Sequence, residues 1–171
     1  MSTASVASEH CSRSWDGENR LVGVTSPLGT ETYTYNADRY RVLKSNSSGV
    51  TTSIWDGENI VEERCATNGN LHAHYAQMPG WWGGLLTQQS AGARHYYAFD
   101  PMGNTWYMTD DACTVTDMYI YKAFGEEIWA SQGYLNPMRF GGQYGHYRDG
   151  YNAKIPSWLY VRAREPGSSG R

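Results

Sequence analysis

The sequence predicts an all-β fold, an antiparallel meander of β-hairpin repeats, and three observations carry that prediction. A pentapeptide repeats: Trp15-Asp16-Gly17-Glu18-Asn19 returns forty residues later as Trp55-Asp56-Gly57-Glu58-Asn59, with Tyr35-Asn36-Ala37-Asp38 midway between them. Tyr75, Phe99-Asp100 and Tyr121-Lys122 continue the series, so an aromatic residue followed by a short turn recurs through most of the chain. The composition agrees, because 14 Tyr, 7 Trp and 19 Gly in 171 residues favour pleated, half-buried strands and tight turns.

The best-formed unit is residues 95–109. Residues 95–99 favour a strand, Asp100-Pro101-Met102-Gly103-Asn104 punctuate it, and residues 105–109 resume the preference. Asp100 is suited to accept hydrogen bonds from the turn's own backbone, Pro101 presets φ, and Gly103 tolerates the positive φ that ends the turn. A second set of turns lies between the first: Ser26-Pro27-Leu28-Gly29, Asn46-Ser47-Ser48-Gly49, Thr67-Asn68-Gly69-Asn70, Ser90-Ala91-Gly92-Ala93 and Asp110-Asp111-Ala112-Cys113. The segments between turns, 21–25, 32–35, 50–55, 60–63, 71–75, 115–121 and 126–130, are the expected strands. Because side chains alternate across a strand, Trp15, Tyr35, Trp55, Tyr75 and Tyr121 are expected to share a face as an aromatic ladder.

Two regions break the rhythm. Residues 77–84, with Trp81 and Trp82 among glycines, read as an excursion from the sheet, and residues 136–150 read as closely turned. Residues 158–164 read as one more strand. The expected organisation is a disordered leader at 1–14, hairpin repeats at 15–130, a terminal segment at 131–164 and a disordered tail at 165–171.

A net charge of -3 and a pI near 5.9 give no broad attraction for a polyanion, which disfavours nucleic-acid binding. The sequence carries no transmembrane segment and no signal peptide, and leaves the localisation unknown. Cys11, Cys65 and Cys113 are odd in number and have no Cys-x-x-Cys neighbour, so they read as ordinary small residues rather than a disulfide framework or zinc site.

The candidate chemistry is thin. His72 and His74 alternate on one strand without a third ligand, so no metal site is assigned. Asp110, Asp111 and Asp117 suggest calcium only by residue type, since adjacent strand residues face opposite ways. Neither a Gly-x-Ser-x-Gly elbow nor a Cys-His signature is present, so no catalytic residue and no cofactor is assigned, and the chain reads as a non-enzyme. Trp81 and Trp82 with Tyr75, Tyr96 and Tyr97 offer an aromatic platform for a glycan or peptide, or else simply cover a small sheet. Arg139, Arg162 and Arg164 are expected to pair with Asp100 or Asp149 and fix the terminal strand.

The ordered series Tyr35-Asn36-Ala37, Trp55-Asp56-Gly57, residues 97–104 with Thr109-Asp110, Tyr121-Lys122-Ala123-Phe124-Gly125-Glu126, Asn136-Pro137-Met138-Arg139-Phe140 with Gly142-Gln143, and Leu159-Tyr160-Val161-Arg162-Ala163-Arg164 resembles the RHS/YD-repeat family. The likeness is to its last repeats and the RHS repeat-associated core domain. The resemblance implies a fragment of a sheet that in full-length relatives spirals into a shell around a C-terminal toxin or variable domain. Those relatives are commonly exported or cell-surface proteins, some with an aspartate-based self-cleavage activity beyond the Arg-Ala-Arg strand. The present sequence departs from the family pattern where Arg39 replaces the usual Gly, which predicts an altered turn, and where the chain ends before the downstream aspartates.

The expected function is therefore a non-enzymatic structural module of an RHS/YD-repeat shell. Its expected partners are other shell segments, or itself, through exposed strand edges. A cell-surface carbohydrate-binding or adhesion module is the alternative, and a remnant of the self-cleaving core domain a further one.

Overall fold

A computed structural model describes residues 11–27, 29–79, 84–131, 134–149 and 158–160. Twelve strands follow one another in hydrogen-bonded order as one antiparallel meander: β1 (Ser12–Trp15), β2 (Leu21–Ser26), β3 (Gly29–Tyr35), β4 (Arg41–Asn46), β5 (Gly49–Asp56), β6 (Asn59–Cys65), β7 (Leu71–Gln77), β8 (Leu85–Ser90), β9 (Ala93–Phe99), β10 (Thr105–Thr109), β11 (Val115–Tyr121) and β12 (Glu127–Ala130). β13 (Tyr147–Asp149) and β14 (Trp158–Tyr160) form a separate antiparallel pair. The all-β meander expected from the sequence is the observed fold. The leader up to residue 10, the Trp81-Trp82 excursion, Arg162, Arg164 and the tail lie outside the described residues.

Two turn chemistries recur along the sheet. Tight two-residue turns close Ser26 on Gly29, Asn46 on Gly49 and Ser90 on Ala93. In the last of these Ala91 and Gly92 both have positive φ, the twist that matches flanking strands. A five-residue turn is found at 16–20, 36–40, 100–104, 110–114 and 122–126. In each copy the first residue's N–H donates to the fifth residue's carbonyl, and the fourth residue's N–H donates back to the first carbonyl. The Oδ1 of Asp16, Asn36, Asp100 and Asp110 accepts the fifth residue's N–H at 2.9 Å. That is the role anticipated for Asp100.

The fourth residue always has positive φ: Asn19 at 61°, Arg39 at 67°, Gly103 at 81°, Cys113 at 60° and Gly125 at 85°. Arg39 therefore does not alter its turn, contrary to the expectation from its sequence. The three hydrogen bonds that close this turn offset a left-handed penalty of about 1 kcal/mol for a residue with a Cβ. Between β7 and β8 the same position is expanded, with Met78 N–H donating to Gly84 O at 2.8 Å.

Every five-residue turn is followed by a β-bulge. Trp15 pairs with Leu21 but Ser14 with Gly23, so Val22 is the extra residue. The same step skips Val42, Trp106, Thr116 and Ile128, and Leu86 after the expanded loop. A bulge interrupts strict alternation and re-aims its side chain. It also corrects the expected aromatic ladder. Counted from the turns, Tyr75 aligns with Tyr33, Tyr97 and Tyr119, whereas Gln77 aligns with Trp15, Tyr35, Phe99 and Tyr121. The first row holds the buried Tyr33, Tyr75 and Tyr119, and the second is more exposed.

The chain divides into two compact units, one of Met1–Ser53 with Arg64–Asn70 and one of Ile54–Glu63 with Leu71–Arg171. In the first, Val24, Tyr33 and Arg41 are buried, with the Arg41 guanidinium 5.0 Å above the Tyr33 ring. The second contains a core of Ile60, Ala73, Tyr75, Leu85, Met138 and Tyr147, flanked by Trp55, Tyr97, Phe99 and Tyr160.

Candidate functional site

Residues 134–149 of the second unit are laid against the 100–104 turn and stitched to it. Thr105 N–H donates to Arg139 O at 2.9 Å, Thr105 Oγ1 to Met138 O at 2.6 Å, Gly141 N–H to Asn104 Oδ1 at 2.9 Å and Gln143 N–H to Gly103 O at 3.1 Å. The fit needs missing side chains. A Cβ at Gly142 would sit 2.7 Å from Thr105 Oγ1, one at Gly125 would sit 2.8 Å from the Phe140 ring, and one at Gly103 would overlap the Tyr144 ring.

This docking leaves an aromatic groove with a volume of about 390 Å³, walled by Pro101, Met102, Trp106, Ile120, Tyr121 and Phe140, with Asp100, Asn104 and Lys122 at its rim. That size suits a small ligand or a large side chain. Trp106 reaches it because it is the bulge residue of β10: strict alternation would align it with buried Met108, yet 53% of it is exposed. Phe140 packs edge-on against Tyr121, centroids 5.9 Å apart.

Asp100 and Lys122, two of the groove's polar residues, are already engaged. Asp100 Oδ1 accepts from Met102 N–H and Asn104 N–H, and its Oδ2 from Asn104 Nδ2 at 2.8 Å. Lys122 Nζ pairs with Glu126 at 2.8 Å. What the groove presents is therefore chiefly apolar, aromatic surface.

Behind it lies a charged cluster. Glu127 accepts from Arg139 NH1 at 3.0 and 2.9 Å and from Arg148 NH1 at 2.6 Å, while Arg139 Nε donates to Asn136 O and its guanidinium stands 4.8 Å from the Tyr119 ring centroid. Burial, more than the nearby Glu127 carboxylate, pushes the Tyr121 hydroxyl well above its usual range. Asn136 is fully buried, its Oδ1 accepting Met138 N–H at 2.8 Å. The Tyr97 hydroxyl lies 2.6 Å from Gln88 Oε1 and 2.9 Å from Asn136 Oδ1, and its single proton serves either. Arg139 Nε on Asn136 O and Asn136 Oδ1 on Met138 N–H hold backbone in place.

The residues singled out in the sequence fall in separate places. Tyr75 is buried, its hydroxyl donating to Glu63 at 2.8 Å, and so offers no platform. Tyr96 is exposed and donates to Asp111 at 3.0 Å. Asp110 closes its turn, while Asp117 is buried and its Oδ1 accepts Tyr134 N–H at 3.1 Å. His72 is exposed and His74 half-buried on β7. Among the described residues no group of three His, Cys, Asp or Glu side chains is placed to hold a metal ion. Arg139 meets Glu127 rather than Asp100, whose carboxylate is occupied by its own turn. The sequence reading missed the groove, and the apolar Trp106 next to a turn was the available signal.

No protein-family profile matches the chain, and no curated protein does. Solved structures do match. One is a Photorhabdus luminescens Tc holotoxin pore carrying a mutated TccC3, with a TM-score of 0.56 and 16% identity over 81% of this chain. Another is the crystal structure of TcdB2-TccC3-Cdc42, with a TM-score of 0.54 and 16% identity over 82% of this chain. TccC3 is an RHS-repeat-containing protein. The fold is RHS-like. In each comparison this chain spans 8% of the length of the chain it matches. Among the described residues, no helix is long and apolar enough to cross a membrane.

Proposed function

We propose that this chain is a non-enzymatic structural module, a segment of an RHS-type shell that associates with further shell segments through its sheet edges. The observation that carries the reading is the stitching of residues 134–149 onto the 100–104 turn. There, conspicuous polar side chains hold backbone: Asp100 and Asn104 close the turn and bind the returning segment, Arg139 and Arg148 converge on Glu127, and Asn136 fixes Met138. The RHS-like fold of the structures it matches supports the same reading. β1 and β12 end the hydrogen-bonded order, and such ends offer backbone groups to another strand.

The experiment is a pair of measurements on the purified chain. Incubation followed by intact-mass analysis is expected to return an unchanged mass, and release of a C-terminal fragment would establish self-cleavage instead. A glycan array is expected to show no saturable binding. A saturable hit abolished by Trp106→Ala would favour the adhesion reading.

A further inference from the structure

Phe124 stands at the tip of the turn joining β11 to β12 with 98% of its surface exposed. The turn does not require it. Its shape comes from Lys122 N–H donating to Glu126 O at 2.7 Å and from Gly125 at φ 85°. At the same third position the other copies carry Glu18, Asp38, Met102 and Ala112, of which Met102 also lines the groove. With Met102, Trp106 and Ile120 of the neighbouring groove also 67%, 53% and 46% exposed, the ring belongs to an apolar patch of the kind that marks an interaction surface.

The groove lies next to that ring, with Lys122 and Ala123 in its wall. Its walls favour an apolar occupant, because most of the lining is aromatic or aliphatic and Asp100 and Asn104 are spent on the turn and on Gly141. Trp106, Tyr121 and Phe140 suit an aromatic ring placed edge-on or offset.

We propose that the groove is the docking site for Phe124 of a second copy of the chain, in a two-fold arrangement in which each copy's ring enters the other's groove. Ring and groove are neighbours on one surface, so a single two-fold axis beside the turn brings both into register at once. That is the self-complementarity an isologous contact demands. Lys122 and Glu126, both exposed, are paired with each other at 2.8 Å beside the groove, a neutral pair that brings no net charge to the contact. The contact uses the groove and not the strand edges, and it stands whether or not the shell reading does.

Sedimentation equilibrium of the full chain across a wide concentration range tests this. A reversible dimer is expected. Phe124→Ala is expected to weaken it by about tenfold or more, as loss of a buried ring on each side implies, while leaving the monomer's urea midpoint unchanged. Met102→Asp, which copies the residue at position 38, is expected to weaken it similarly. A mixture of the two variants is expected to associate more tightly than either alone, because the mixed pair retains one intact ring in one intact groove. A chain that stays monomeric throughout, a dimer indifferent to Phe124→Ala, or a mixture no tighter than its components overturns the proposal.

Discussion

Arg139 holds both carboxylate oxygens of Glu127, its NH1 at 3.0 and 2.9 Å, and so ties residues 134–149 to β12. The two side chains are 5% and 18% exposed. Removing one partner of a fully buried pair costs roughly 3–5 kcal/mol, and the residual exposure of Glu127 lowers the expectation to about 2–3 kcal/mol for Glu127→Gln, which takes the Glu127 charge away from Arg139 and Arg148. Urea denaturation checks the loss. A double-mutant cycle with Arg139→Met isolates the pair, and a coupling near zero would mean the contact is incidental.

Cys113 is an exposed, non-glycine residue at φ 60°, so its side chain gains little packing where the backbone favours glycine. Cys113→Gly is expected to stabilise the chain by about 1 kcal/mol. Asp110→Ala in the same turn is expected to cost about 1 kcal/mol, since Oδ1 then no longer accepts from Ala112 N–H and Thr114 N–H. Thermal melts of both variants check the opposite signs.

The turns were legible because their chemistry is local: Asp16, Asn36, Asp100 and Asp110 act on backbone four residues away, so the residue type announces the role. The bulges were not. Their extra residues, Val22, Val42, Trp106, Thr116 and Ile128, are the β-branched and aromatic types that fill the strands generally, so nothing in them marks a bulge, which is set by how the turn exits into the pair. The partner of Arg139 was illegible for a different reason. Charge alone nominated Asp100 or Asp149, but the Asp100 carboxylate is used by its own turn, and Glu127 becomes a partner only once residues 134–149 lie on the sheet.

Gly103 combines φ 81° with a Cβ position that overlaps the Tyr144 ring, whereas Gly69 has φ 73° and open space around it. Both pay the left-handed penalty when replaced by alanine, about 1 kcal/mol. Only Gly103→Ala must also displace Tyr144 and strain the seam, for an expected total of about 2–4 kcal/mol. Equal losses in urea melts of the two variants would show that the seam contributes nothing to stability.

His146 gives the fold a pH dependence of calculable sign. Burial lowers its pKa below the ordinary 6.5, so the folded chain favours the neutral ring and the unfolded chain binds more protons. The stability this contributes is fully present above pH 6.5 and falls progressively as pH drops toward the depressed folded value. Below that value it flattens. Asp16, whose carboxyl is held below 3.8 chiefly by the Arg20 backbone N–H, gives up its own contribution only at more acid pH, so the two windows separate. Urea midpoints measured from pH 7.5 down to about 5 should decline for the natural chain and decline less for His146→Gln, which has nothing to protonate in that interval. Parallel declines would assign the slope to another group.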